Sequence, residues 1–327
     1  MNMLATLPRP FFVLAPMDDV TDTVFRQIVA RTAAPDLYVT EFVNVDGLQS
    51  PGRPRLLKKL QLVSSETTLI AQLWGLKPEN FYKTAQQIAD GSLAREFGLP
   101  EGANFAGIDL NMGCPAKSEV KSGACSALIN NRELAVEIIQ ATQKGAGGVL
   151  PVSVKTRLGF NEVDFTWHEL LLRQNLDMLT VHGRTRKEMS KVPAHWDLIG
   201  KVRELRDSIA PQTIIVGNGD VMSRQQGEAL AREYQLDGIM IGRGIFQDPY
   251  IFAPQTPWPS ITREQRIALY TAHVSLFART WTNNERHIAT LNKFCKVYIS
   301  DFDGARELRE QLMNAGTTQE LLKLLAV

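Results

Sequence analysis

The segment best equipped for chemistry reads Asp109-Leu110-Asn111-Met112-Gly113-Cys114-Pro115 and continues to Gly123-Ala124-Cys125-Ser126. A thiol with a reference pKa of about 8.5 is mostly protonated at neutral pH, so Cys114 can donate a proton. Gly113 and Pro115 on either side make its loop tight. The competing reading is a small buried hydrophobe, the usual fate of a lone cysteine. Lys155 closes the otherwise apolar run Pro151–Lys155, and an ammonium there must meet an anion or reach water, because burying it unpaired is costly. His182 follows a similar run; a lone histidine at a strand end is usually a hydrogen-bonded structural residue. Gln72 offers both a donor and an acceptor. Asn218-Gly219-Asp220 and Gly242-Arg243-Gly244 are glycine-bearing turns where backbone N–H groups can approach a phosphate and Arg243 adds positive charge. Tight turns alone are the plainer alternative.

These residues follow strand-length apolar runs: Phe11–Ala15, Leu37–Thr40, Thr68–Leu73, Gly107–Leu110, Pro151–Lys155, Met178–Val181, Thr213–Val216 and Gly238–Ile241. Such runs fit parallel strands covered on both faces. Helical stretches lie between most of them, clearest at Pro78–Ala94, Arg132–Lys144, Trp167–Gln174, Asp197–Ser208 and Ser223–Tyr234, with Asn131 and Ser223 as N-cap candidates. Eight alternations over roughly 245 residues match a (β/α)8 TIM barrel, whose active sites form at the C-terminal strand ends. The expected barrel covers residues 1–253. Pro254, Pro257 and Pro259 mark a linker, and a helical period from Thr262 predicts a small C-terminal all-helical domain over 262–327. The stretch Arg95–Ala103 has no assigned role.

Of the 327 residues, 44% are hydrophobic and 22% charged, as in an ordinary globular protein. No apolar run approaches the roughly 18 residues of a membrane helix, and Met1–Pro10 shows no secretion signal. The three cysteines form no disulfide framework and no zinc spacing, which fits a reducing cytoplasm; no metal is expected. A net charge of +1 advertises no nucleic-acid binding, so any such surface must be local. From Ile261 onward nine Lys and Arg face seven Asp and Glu. Basic residues cluster at Arg53, Arg55, Lys58 and Lys59, at Lys117 and Lys121, and at Arg184, Arg186, Lys187 and Lys191. Each cluster taken alone reads as solvated surface.

The cysteine segment closely resembles the signature of the dihydrouridine synthases, and the resemblance extends along nearly the whole chain. Ala15-Pro16-Met17 with Val20-Thr21-Asp22 and Phe25-Arg26 resembles the family's N-terminal motif, and Gln72-Leu73-Trp74-Gly75 its third-strand motif. Val154-Lys155-Thr156-Arg157-Leu158-Gly159 and Val181-His182-Gly183-Arg184-Thr185-Arg186 resemble the next two. Gly217-Asn218-Gly219-Asp220 and Met240-Ile241-Gly242-Arg243-Gly244 follow in order, and Asn292-Lys293-Phe294 and Gly304-Ala305-Arg306 resemble parts of a helical C-terminal domain.

The resemblance implies FMN as cofactor, NADPH as reductant and tRNA as partner. It places Pro16, Met17, Asp18, Gln72, Lys155, His182, Asn218, Gly219, Asp220, Gly242 and Arg243 at the flavin, the last two turns on its phosphate. Asn111, Lys155 and Arg184 would bind a uridine flipped out of its stack. Hydride would enter at C6 and Cys114 would protonate C5. The sequence departs from the family at Asp18-Asp19, at Cys125 where a glycine is usual, and over Lys187 to His195. The nearest alternative is an FMN barrel acting on a free pyrimidine, like a dihydroorotate or dihydropyrimidine dehydrogenase, for which a helical RNA-binding domain is superfluous. A non-catalytic RNA-binding protein would not need Cys114, Lys155 and the phosphate turns. A monomer is the default expectation.

Overall fold

The computed structural model describes residues 3–326; the outer ends of the two expected segments, at residues 1–2 and 327, lie outside the described residues. Nine parallel strands form one sheet: β1 Phe11–Leu14, β2 Leu37–Val39, β3 Val43–Asn44, β4 Leu69–Trp74, β5 Gly107–Met112, β6 Val152–Arg157, β7 Met178–His182, β8 Ile214–Asn218 and β9 Gly238–Ile241. The order β2-β1-β9-β8-β7-β6-β5-β4-β3 closes through pairing of β2 with β4. β2 meets β4 at Leu69 and Ile70, and β3 meets it at Leu73 and Trp74. The two therefore form one interrupted stave, and the sheet is an eight-stave barrel, the (β/α)8 fold expected.

Side-chain alternation sorts the strands into two cores. Phe11, Val13 and Ala15 point inward and pack with Leu37, Val39, Ile70, Met178, Ile214, Val216 and Met240, closed below by Leu4. Phe12 and Leu14 point outward into the larger core beneath the helices. Asn131 and Ser223 cap Arg132–Ala146 and Arg224–Tyr234, as their sequence positions indicate. The helical stretch expected over Pro78–Ala94 is broken: Pro78–Ala89 ends, Gly91 turns left-handed at φ 73°, and Ser92–Glu96 restarts. Gly145 lets Arg132–Ala146 lie against Pro78–Ala89, since a Cβ there would sit 2.9 Å from the Cβ of Ala85.

Beyond the barrel, the helix Arg263–Thr280 opens with a capping box between Thr262 and Gln265. Shorter helices follow at Asn292–Tyr298, Ala305–Asn314 and Thr318–Leu325. This region docks on the first barrel helix, Thr23–Ala33: the Phe25 ring lies 4.8 Å from that of Phe294 and 6.0 Å from that of His273. No described helix is long and apolar enough to cross a membrane.

Candidate active site

A cavity of about 480 Å³ opens at the C-terminal mouth of the barrel. Each wall comes from a strand end: Pro16 and Met17 after β1, Lys155 and Arg157 on β6, His182 closing β7, Asn218 to Asp220 after β8, and Gly242 and Arg243 after β9. Its volume lies in the range of small-ligand sites. The β8 end is shaped by glycine. Gly219 takes φ 137°, and a Cβ there would stand 2.6 Å from the Cβ of Ala194. Asn218 Nδ2 donates to the carbonyl of Met240 at 2.8 Å, tying β8 to β9.

The cavity is electropositive. The Lys155 ammonium makes no hydrogen bond or ion pair with any described residue, and burial, with the Arg157 charge adding to it, lowers its pKa to about 8. Burial also drives His182 well below its ordinary value, reinforced by Arg157, Lys155, Arg184 and Arg243. Arg184 Nη1 lies 3.3 Å from His182 Nε2. A guanidinium can only donate, so Nε2 accepts and the neutral ring carries its proton on Nδ1. Arg243 is 65% exposed in its side chain and touches Asp220 at 3.2 Å, leaving most of its fork available.

Beside the cavity, a buried polar chain holds the cysteine loop. Asn111 Oδ1 accepts from the backbone N–H groups of Gly113 at 3.1 Å and Cys114 at 2.9 Å. Its amide donates to Gln72 Oε1 at 3.0 Å, Gln72 donates to Asp109 Oδ2 at 2.7 Å, and Ser153 Oγ donates to Asp109 Oδ1 at 2.6 Å. Burial raises the Asp109 carboxyl to about 6, against the opposing hydrogen bonds of Ser153 and Gln72. Arg157 clamps the same loop from β6, donating to the carbonyl of Gly113 at 2.7 Å and to those of Thr185 and Met189 at 3.1 and 3.2 Å. Cys114 is half-buried. A hydrogen bond from the Cys125 thiol lowers its pKa to about 7 despite burial, and the same contact, with burial, raises Cys125.

The structure gathers nine of the eleven residues expected at the flavin: Pro16, Met17, Lys155, His182, Asn218, Gly219, Asp220, Gly242 and Arg243. Asp18 is not among the cavity walls; it is exposed and ion-paired to Lys59. Gln72 is fully buried with both ends of its amide engaged by Asp109 and Asn111, so it braces the wall from behind. Asn111 likewise spends its Oδ1 on the cysteine loop and its amide nitrogen on Gln72. Arg184 is buried, bound to Asp220, His182 and the carbonyl of Val192, which leaves it behind the cavity. Cys114 lies at the end of β5 rather than in the wall, three residues past Asn111, which pairs in register with Lys155. Arg157 was not anticipated. Two-residue alternation along β6 puts it on the face of Lys155, and that was the signal available.

The basic loops divide in the same way. Arg53 pairs with Glu96, Lys58 donates to the carbonyl of Glu285 and Lys59 pairs with Asp18, so these cations hold the fold together. Lys117, Lys121, Lys187 and Lys191 are exposed and make no ion pair among the described residues. On the same barrel end, Arg286 reaches from the C-terminal region to the buried carboxylate of Glu41, to Asp22 at 3.3 Å and to Asp19 at 3.5 Å. Nothing in the sequence pointed to this network.

Comparison with known proteins adds four findings. The family model described as dihydrouridine synthase matches residues 13–327. A probable tRNA-dihydrouridine synthase of Staphylococcus epidermidis is 45% identical over 327 residues, covering 99% of this chain and 95% of that protein. A probable tRNA-dihydrouridine synthase 2 of Bacillus subtilis is 43% identical over 328 residues, covering 99% and 95%. Among solved structures, histamine dehydrogenase from Rhizobium sp. 4-9 aligns with a TM-score of 0.53 at 13% identity, over 81% of this chain and 48% of that one, a likeness of fold.

Proposed function

The chain belongs to the dihydrouridine synthase family, and from that premise we propose that it reduces uridine to 5,6-dihydrouridine in tRNA, with FMN in the barrel cavity, NADPH as reductant and Cys114 as proton donor. The observation that carries the reading is the meeting, in one cavity, of an unpartnered Lys155 and the phosphate-type turn of Gly242 and Arg243. The residues fit the cofactor. Arg243 and the backbone at Gly219 and Gly242 suit a phosphate, and Pro16 and Met17 offer an apolar wall for a ring system. Lys155 supplies a cation where a reduced flavin carries negative charge. When bound, the flavin supplies the hydride that enters at C6.

The chain's own residues do the rest. A thiol with its pKa near 7 is matched to general acid catalysis at neutral pH. Delivering its proton to C5 requires Cys114 to turn about χ1 from Cys125 towards the cavity, a rotamer change. Asn111 and Arg157 hold the loop backbone while the side chain turns. Lys155 stabilises charge developing on the uracil carbonyl system. Residues 262–327, with the free lysines at 117, 121, 187 and 191, form the RNA-binding surface, acting through backbone phosphates. The enzyme acts as a monomer.

The test is conversion of unmodified tRNA by purified protein with NADPH, beside free uracil as substrate, for the natural chain and Cys114→Ala. Dihydrouridine is expected in the tRNA and not from uracil. The variant should keep NADPH-driven flavin reduction and lose dihydrouridine formation by about 10²–10⁴-fold. Turnover of free uracil would move the protein to the small-pyrimidine class. Full activity of Cys114→Ala would remove the thiol from the mechanism.

A further inference from the structure

Cys125 is a cysteine where the backbone favours glycine. Its φ of 53° is left-handed, and Gly123, two residues earlier, is left-handed too at φ 92°. A side chain kept at such a position is a pointer to its use. Its thiol is fully buried and near enough to that of Cys114 to favour the Cys114 thiolate, and both cysteines are free. The backbones are joined as well, Ser126 N–H donating to the carbonyl of Cys114 at 3.3 Å. A Cβ built on Gly123 would meet nothing within 4 Å, so the turn leading into Cys125 has room to adjust.

We propose that Cys114 and Cys125 form a thiol switch, in which a hydroperoxide oxidises the pair to an intramolecular disulfide and so withdraws the proton donor; the regulatory half rests on the role given to Cys114 above. The two sulfurs differ in access as such a pair requires. Cys114, half-buried past the end of β5, is the one a small oxidant reaches; Cys125, fully enclosed, is the resolving thiol. Lys155 and Arg157 on the facing strand favour the thiolate of Cys114, Glu119 opposes it, and its pKa near 7 supplies a large thiolate fraction at neutral pH.

The chemistry balances in two steps. The Cys114 thiolate attacks one oxygen of the peroxide, the O–O bond breaks, and the second oxygen leaves with a proton as water or an alcohol. Cys114 is now a sulfenic acid. The Cys125 sulfur attacks it, the S–O bond breaks, the hydroxyl leaves as water with the Cys125 proton, and the S–S bond forms. Two thiols have lost two electrons and the peroxide has gained them. A dithiol reductant reverses the change.

The experiment exposes the purified flavin-loaded enzyme to a molar excess of hydrogen peroxide, enough to carry an unresolved sulfenic acid on to the sulfinic acid, blocks residual thiols, and maps linked peptides by mass spectrometry. A Cys114–Cys125 linkage is expected with Cys295 still reduced, together with loss of most dihydrouridine formation and its recovery on adding dithiothreitol. Cys125→Gly, which suits the left-handed backbone and removes the second thiol without strain, should lose that recovery, as Cys114 proceeds to the sulfinic acid. Two results would overturn the switch: no linkage at peroxide levels that oxidise Cys114, or dithiothreitol recovery in Cys125→Gly equal to that of the natural chain. Linkage with undiminished activity would also overturn it as a regulator, and would count against Cys114 as the donor. Absent linkage beside an inactive Cys114→Ala would leave the donor role standing alone.

Discussion

Replacing Lys155 by methionine is expected to stabilise the protein and weaken its cofactor binding together. Burial and the Arg157 charge lower the Lys155 pKa from 10.5 to about 8, outweighing the opposing charges of Asp109 and Cys114, and no described residue forms an ion pair with the ammonium. At 1.36 kcal/mol per pKa unit, that depression corresponds to about 3 kcal/mol against folding. The cavity side of the residue keeps some access to solvent, so about 1–3 kcal/mol is the range to look for. The sign follows from proton binding. Between pH 8 and 10.5 the unfolded chain binds the Lys155 proton more tightly than the folded one, so this contribution to stability rises with pH; below pH 8 the full cost is present. Urea denaturation of the flavin-free natural chain and of Lys155→Met should show the variant more stable at pH 7, with the gap closing towards pH 10.5. Comparing the two proteins cancels other titrations. Flavin titration should show the reverse order, with affinity about ten- to a hundredfold lower in the variant, the value of one charge-assisted hydrogen bond. A variant less stable at pH 7, or a gap independent of pH, would refute the reasoning.

Cys114 must be protonated to act, and its pKa is near 7, so single-turnover dihydrouridine formation should fall about tenfold per pH unit above that value; a flat profile from pH 6 to 9 would contradict it. Arg157→Lys keeps the charge but loses the fork that reaches Gly113, Thr185 and Met189. Displacing the Cys114 loop in this way should cost about 10²-fold in rate with flavin content unchanged, by single turnover and absorbance. Arg286→Ala leaves the buried carboxylate of Glu41 without its ion-pair partner, though still accepting from the Asp19 backbone N–H, a loss of about 3–5 kcal/mol in urea denaturation that Glu41→Gln in the same chain should partly restore. Limited proteolysis of Arg286→Ala should cut first near residues 281–291 if that contact pins the C-terminal region.

The barrel was legible because each stave is a short apolar run covered on both faces, a pattern helices do not imitate when turns follow at once. What escaped was what depends on partners distant in the chain. Val43–Asn44 is too short to register as a run and exists through its pairing with Leu73 and Trp74. Gln72 carries the right groups for a ligand, yet only the fold shows Asp109 and Asn111 already engaging them. Arg184 looked available beside His182 until the β8 turn brought Asp220 against it. Arg286 and Glu41 are separated by 245 positions and leave no local trace.

One physical distinction orders these outcomes. Lys155 remains without a partner on the inner face of β6, while Gln72, Asn111 and Arg184, of equally suitable type, are satisfied by the protein itself. A buried polar group already hydrogen-bonded has little to gain from a ligand, whereas an unpaired cation gains its whole desolvation cost back. The free cation therefore marks where charge on a ligand must lie, and the satisfied groups mark what keeps the thiol loop beside it. That division predicts separable effects. Changes at Lys155 or Arg243 should appear first in cofactor affinity, and changes at Asn111, Gln72 or Arg157 in the rate of proton delivery with affinity preserved.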